Sequence, residues 1–187
     1  MANQDAAFGL KAIGKVGQNR DNQGLSEYGI AASSSAIYQN DPVMMAATGK
    51  IIVGTAAAVL LGSLNGVFFT DATTEKPTYA NHLNASNTAT DIVGFVSDDP
   101  YERFEVQSDG ATAAADVGLN ADIVYAAGSS PDYVSKVELD FSDQKTATAQ
   151  LRILAISNDI ENNTAGSANV NLVVMINEHF LKGTVGI

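Results

Sequence analysis

Residues 91–110 constrain the fold of this chain more than any other stretch. They read DIVGFVSDDPYERFEVQSDG and contain three parts, namely the apolar run 92–96, the acidic turn 97–100 and the apolar run 103–107. In the second run Phe104 and Val106 alternate with polar residues, which is the period of a strand with one buried face. Pro100 fixes its own φ and disfavours helical backbone before it, so the chain must turn there. The two runs are predicted to be strands of one sheet, which the rest of the chain completes.

Other short runs with strand character follow one another through the body of the chain. Besides the two above, the predicted strands are 36–39, 43–46, 50–53, 66–70, 121–126, 136–141, 146–156 and 170–176. Turn residues separate them, and no segment has a sustained helical stripe with caps. The pattern of residues 56–61 fits a short helix and a buried strand equally. The sequence therefore predicts an all-β fold, either a sandwich or a compact barrel.

The composition indicates a folded domain that is not expected to bind polyanions. The chain has 187 residues, 45% of them hydrophobic, so it can bury a core. Its 21 acidic and 10 basic residues give a net charge of −11, which argues against nucleic acid and anionic membranes as partners. It has no cysteine, which excludes disulfides and thiolate metal sites. The uncharged stretch 51–70 is interrupted by glycines, so we predict buried strands there rather than a membrane helix.

Residues 1–34 differ from the remainder of the chain. This segment is neutral, with three basic and three acidic residues, and it is rich in glycine and amides. Its apolar residues follow no sustained period of a helix or a strand, and one interpretation is a flexible terminus. We interpret the segment as an extended arm that lies on a partner's surface, because a solvated tail has little use for large apolar side chains. Residues 35–187 are then the β-rich body. The candidate contact residues of the arm are Phe8, Leu10, Ile13, Val16, Leu25 and Tyr28.

Few residues suggest chemistry. The two histidines, His82 and His179, lack neighbours at the spacing of a catalytic or metal motif. Asp98, Asp99 and Glu102 form the densest acidic cluster, which could bind Ca²⁺ or supply a carboxylate pair. The same residues also describe an ordinary exposed turn. We predict no catalytic residue, no metal site and no cofactor.

Four segments in order carry a resemblance to a known family. They are VGFVSDDPYERFEVQSDG (93–110), DVGLNADIVYAAG (116–128), LRILAISNDIENN (151–163) and VNLVVMINEH (170–179). Together they resemble the head decoration (cement) proteins of tailed bacteriophages, in the lineage seen in marine phages, across about residues 40–180. The resemblance implies a β-barrel or β-tulip-like body with an extended N-terminal arm. It also implies a position on the outside of the icosahedral shell, often as a trimer, where the protein clamps neighbouring major capsid subunits.

The leading hypothesis is therefore a non-enzymatic protein that stabilises a capsid. It would be made in the host cytoplasm, form a homo-oligomer, with a trimer favoured, and bind the major capsid protein through residues 1–34. The first alternative is a head fibre or a receptor- or glycan-binding module on the particle surface. The second is a small hydrolase that uses Asp98, Asp99 or Glu102.

Overall fold

The computed structural model describes residues 2–17, 24–32 and 34–183. Within these ranges it contains short strands and three single-turn 3₁₀ helices, so the predicted all-β class is confirmed. The strands are β1 (Lys11–Lys15), β2 (Ser26–Gly29), β3 (Pro42–Met45), β4 (Ile51–Val53), β5 (Gly62–Thr70), β6 (Pro77–Ala80), β7 (Val93–Ser97), β8 (Glu102–Gln107), β9 (Asn120–Ala121), β10 (Ile123–Val124), β11 (Glu138–Leu139), β12 (Leu151–Ile156) and β13 (Asn171–Ile176). The 3₁₀ helices are Ala114–Asp116, Phe141–Asp143 and Phe180–Lys182.

The strands form two larger antiparallel sheets and one two-stranded pair. Sheet I has the order β1-β8-β13-β12-β9. Sheet II has the order β2-β7-β5-β3-β4, and β6 pairs with the far part of β5. The pair is β10-β11. Each larger sheet ends in edge strands within the described residues, so the architecture is consistent with a sandwich and is not a closed barrel.

Each large sheet buries its own apolar cluster. In sheet I, Gln107 of β8 is 0% exposed and departs from the expected alternation, but Phe104 and Val106 are buried as expected, at 1% and 0% exposed. The same holds for β13 and the residue before it, where the aligned side chains Val170, Leu172, Val174 and Ile176 are all buried. The cluster of sheet II consists of Ile30, Ile37, Val43, Ile51, Leu61, Leu64, Val67, Leu83, Ala89, Ile92 and Val96. Burial of each large apolar side chain contributes roughly 1.5–3 kcal/mol to folding.

The prediction that the runs around the acidic turn share one sheet is wrong. β7 lies in sheet II between β2 and β5, whereas β8 lies in sheet I between β1 and β13. Both sides of each strand are therefore already paired with other strands. The turn 97–102 carries the chain from one sheet to the other.

Several strand boundaries also differ from the sequence pattern. Residues 56–58 are turn and bend, and Leu60 makes one isolated bridge with His179, so residues 56–61 are neither helix nor strand. The stretch 121–126 contains only the short strands β9 and β10 as far as residue 124. In β12 a bulge between Ile153 and Ala155 shifts the register, which leaves Ala155 exposed. No helix in the described part of the chain is long and apolar enough to cross a membrane.

The described residues of the N-terminal segment lie against both sheets. β1 pairs with β8 at the edge of sheet I, and β2 pairs with β7 at the edge of sheet II. Leu10 is 0% exposed and belongs to the core of sheet I. Residues 1, 18–23 and 33 of the predicted arm lie outside the described residues. In the described ranges the segment therefore supplies edge strands of the body, and its detachment as an arm stays a prediction.

Gly62 gives the first test of this packing. A methyl group at Gly62 would overlap the carbonyl oxygen of Ser97, where β5 and β7 run side by side. Gly29 serves as a matched control, because a methyl group there would meet only Lys50 at an ordinary 3.8 Å. We expect Gly62→Ala to lower the free energy of unfolding by about 1–3 kcal/mol in urea titrations, through overpacking. Equal effects of Gly62→Ala and Gly29→Ala would contradict the close approach.

Asp41 is a buried carboxyl group in the segment that leads into β3. It is 0% exposed, and its Oδ2 accepts a hydrogen bond from the Tyr38 N–H at 2.8 Å, whereas its Oδ1 has no hydrogen-bond partner among the described residues. Burial raises the pKa of Asp41 to about 6. The folded protein thus holds this proton more tightly than the unfolded chain does. Between about pH 4 and pH 6, Asp41 loses its proton in the unfolded chain before it does so in the folded protein. Its contribution to the free energy of unfolding therefore falls as the pH rises through this range.

We expect Asp41→Asn to stabilise the protein at neutral pH. The amide keeps an acceptor for Tyr38 but carries no charge. The free energy of unfolding at pH 7.5 should therefore rise by up to about 3 kcal/mol, which corresponds to a pKa shift of about two units. Urea unfolding at pH 7.5 and pH 4 measures this difference in the free energy of unfolding, which should be smaller at pH 4. The exposed Glu161→Gln is the control for loss of one charge. A variant that is less stable than the wild type at pH 7.5 would disprove this account of Asp41.

Candidate functional site

The turn between the two sheets is held by hydrogen bonds from the N-terminal segment. The Asp98 carboxylate accepts bonds from the Ser26 hydroxyl at 2.9 Å and from the Tyr28 hydroxyl at 2.6 Å, both on β2. Burial, followed by the bond to Asp98, raises the pKa of Tyr28 to about 12, so its phenol keeps its proton at neutral pH. Asp98 therefore attaches the edge strand of sheet II to the turn.

Two further acidic side chains attach the edge strand of sheet I. The Lys15 ammonium lies 2.7 Å from the Asp99 carboxylate, and this hydrogen-bonded ion pair lowers the pKa of Asp99. Glu102 is only 6% exposed and accepts a hydrogen bond from the Gly14 N–H at 3.1 Å, while burial raises its pKa. A buried carboxylate without such a donor is costly, so β1 and the turn depend on each other.

These bonds give a structural role to the acidic cluster that the sequence analysis considered as a calcium site or a carboxylate pair. Asp98, Asp99 and Glu102 each bond to donors of the same chain. Across the described ranges, no group of three or more His, Cys, Asp or Glu side chains is placed to hold a metal ion. These hydrogen bonds and the ion pair join three segments of backbone, namely β1, β2 and the turn.

The C-terminal residues reach the same end of the molecule. The Phe180 N–H donates to the Leu60 carbonyl, and His179 is 2% exposed with its Nδ1 accepting from the Leu181 N–H at 3.1 Å. Burial lowers the pKa of His179 to about 4, with Lys182 acting in the same direction, so the ring is uncharged at neutral pH. The Lys182 ammonium lies 4.8 Å from the centroid of the Tyr101 ring.

Four exposed apolar side chains belong to the segments that meet at the turn, and we call them the turn patch: Val16, Leu25, Tyr101 and Leu181. Their exposed fractions are 52%, 44%, 59% and 50%. The Val16 N–H donates to the Tyr101 carbonyl at 2.9 Å, and Leu25 precedes the residue that bonds to Asp98. Exposed apolar side chains on segments that meet at one turn make this region a candidate protein contact site.

The structure separates the six candidate arm residues into three groups. Ile13, Val16 and Leu25 are exposed, and the last two belong to the turn patch. Phe8 and Tyr28 are half-buried, and Leu10 lies in the core, where no partner can reach it without unfolding. The sequence reasoning missed Tyr101 and Leu181. For Tyr101 a signal was available in the sequence, because it is an aromatic residue in an otherwise polar turn.

A second exposed apolar surface lies on the outer face of sheet II. It consists of Phe68 on β5, Tyr79 on β6 and Phe95 on β7, and Tyr79 is 76% exposed. The ring centroids of Phe68 and Tyr79 are 4.8 Å apart, and those of Tyr79 and Phe95 are 6.5 Å apart. The doublet Phe68-Phe69 in a predicted strand was a usable signal, because consecutive strand residues point to opposite faces.

Comparison with known proteins adds no identification. A scan against protein-family models finds no match, and neither curated proteins nor solved structures match the chain.

Removing the Asp98 carboxylate tests its role as the anchor of β2. We expect Asp98→Ala to lower the free energy of unfolding by about 1–3 kcal/mol, because two hydroxyl groups lose their acceptor. Native-state hydrogen exchange should show faster exchange of the amides of residues 26–29 in this variant. Glu161→Ala removes the same charge from an exposed loop and should change neither measurement. Unchanged exchange in β2 with Asp98→Ala would refute the anchor.

Proposed function

We propose that this protein binds the outer surface of an icosahedral phage capsid and stabilises the shell by bridging major capsid subunits. The turn patch carries the proposal. Two of the residues expected from the sequence to contact the capsid, Val16 and Leu25, are exposed there together with Tyr101 and Leu181. The resemblance of residues 40–180 to the decoration proteins supplies the kind of partner.

The edges beside the turn patch offer a second mode of contact. β1 and β2 are the outermost strands of their sheets in the described residues, so each has one side without a neighbouring strand. Such an edge can pair with a strand of another protein, which supplies main-chain hydrogen bonds in addition to apolar contacts. A capsid lattice that offers an extended segment at this position would be bound by both kinds of interaction.

The proposal includes a homotrimer on the particle. Closed symmetry repeats one contact in each copy, so contacts that are weak singly give strong attachment together. The outer aromatic face of sheet II, with Tyr79 at its centre, is a candidate for the contact between copies. The net charge of −11 would keep the remaining surface in solvent and limit unspecific association.

The test uses full-length protein and expanded shells that lack it. The wild type is expected to bind in a saturable ratio and to raise the melting temperature of the shells. The double variant Val16→Asp/Leu25→Asp should bind at least about tenfold more weakly, because it places two charges in the apolar patch. Ile160→Asp is the control, since Ile160 is 86% exposed in the loop after β12, away from the turn. Point substitutions are preferred to deletion of residues 1–34, because deletion would remove Leu10 from the core.

Each remaining outcome decides against part of the proposal. Binding without a rise in melting temperature would reject the stabilising role and favour a head fibre or receptor-binding module. Undiminished binding of the double variant would reject the turn patch as the contact site. Absence of binding by the wild type would reject the capsid function altogether.

A further inference from the structure

Three aromatic rings with nearly parallel planes lie together beside the start of β3, with His82 and Tyr133 stacked face to face and Tyr38 at their side, and we call this group the aromatic platform: Tyr38, His82 and Tyr133. The centroids of the His82 and Tyr133 rings are 3.8 Å apart and their planes differ by 3°. The Tyr38 ring lies 6.4 Å from His82 and 6.5 Å from Tyr133, and it is within 15° of parallel to both. All three side chains are half-buried, so each keeps part of its surface in solvent.

Hydrogen bonds around the platform fix the rings in place. Asn81 Oδ1 lies 2.9 Å from His82 Nδ1, and Asn81 Nδ2 donates to the Asp132 carbonyl at 3.0 Å. The Gln39 N–H donates to the Tyr133 carbonyl at 3.2 Å. Tyr133 has a positive φ of 54°, which is unfavourable for a bulky residue and persists only where the surroundings impose it. The platform is therefore preorganised.

A polar cleft of about 250 Å³ adjoins the platform. Its polar lining residues are Lys11, Gln39, Asn40, Ser63, Asn65 and Ser97. Gln39 connects the two features, because it lines the cleft and its Oε1 lies 3.5 Å from the Asn81 amide nitrogen. A ligand that packs on the outer face of one ring of the platform can thus extend past Gln39 towards the cleft.

The site offers hydrogen-bonding groups but little net charge. Within the described residues, the hydroxyls of Tyr38 and Tyr133 and the exposed amide of Asn65 make no hydrogen bond, so they are available to a ligand. The ammonium of Lys11 is paired with Glu105 at 3.2 Å. Burial lowers the pKa of His82, which favours the uncharged ring at neutral pH.

A neutral carbohydrate matches these properties. A pyranose ring has an apolar C–H face that packs on a flat aromatic surface, and its hydroxyls both donate and accept hydrogen bonds, as amides and phenols do. An anionic ligand would meet an acidic protein, and among the described residues that line the cleft the lysine, Lys11, is already paired with Glu105. We propose that the aromatic platform and the adjoining cleft bind a neutral oligosaccharide. This binding site is separate from the capsid contact proposed above, and neither depends on the other.

The experiment starts from full-length protein on an array of neutral hexose and N-acetylhexosamine oligosaccharides, with a proline-rich peptide beside them. The strongest saccharide is then titrated by isothermal titration calorimetry, and a dissociation constant of about 1 mM or below is expected. His82→Ala should weaken binding about tenfold by removing one ring of the stack. Asn65→Ala should weaken it at least about threefold by removing one hydrogen-bonding group.

Asn65→Ala keeps the test decisive if His82→Ala does not fold, because Asn65 is exposed and makes no hydrogen bond within the described residues. Ile160→Ala, in the loop after β12, is the control and should bind as the wild type does. Failure to bind any neutral saccharide, binding that both platform and cleft variants retain, or binding of the proline-rich peptide alone would each overturn the proposal.

Discussion

The structure depends on the acidic turn that carries the chain from one sheet to the other. Glu102 is nearly buried there, and Asp98 and Asp99 lie beside it, so three negative charges must be satisfied within a few residues. The donors come from the N-terminal segment, chiefly Lys15 and Tyr28. Since a desolvated carboxylate without a donor is costly, the turn requires the N-terminal strands as much as they require the turn. The two edges of the body are thereby fixed by one polar network.

This dependence changes the meaning of the N-terminal segment. A free arm would present all of its apolar side chains to a partner, whereas an edge strand presents only those that the body does not use. Leu10 is committed to the core of sheet I, and Tyr28 packs against the core of sheet II while its hydroxyl bonds to Asp98. Of the candidate contact residues, Ile13, Val16 and Leu25 remain exposed, and the last two flank the turn. The polar network that fixes the segment thus also positions the surface through which it would bind.

The sequence predicted several strands correctly but long-range pairing poorly, and of the predicted strands 36–39 and 136–141 only residues 138–139 form a strand. The alternation in residues 103–107 and 170–176 specified strands and their buried faces, because side-chain direction in a strand is a local property. The same alternation contains no information about which strand lies next to which, so the neighbouring runs 92–96 and 103–107 were assigned to one sheet. The aromatic platform was equally hidden, since its three rings come from positions 38, 82 and 133. Only the tertiary fold brings such positions together.

Charge decides which parts of the surface can approach a partner. The net charge of −11 repels anionic surfaces over most of the body. Beside the turn patch and the cleft, however, acidic groups are paired with lysines, Asp99 with Lys15 and Glu105 with Lys11. Both lysines belong to β1, so one edge strand neutralises the surroundings of both surfaces. An uncharged ligand or an apolar protein surface would therefore meet paired charges along this strand.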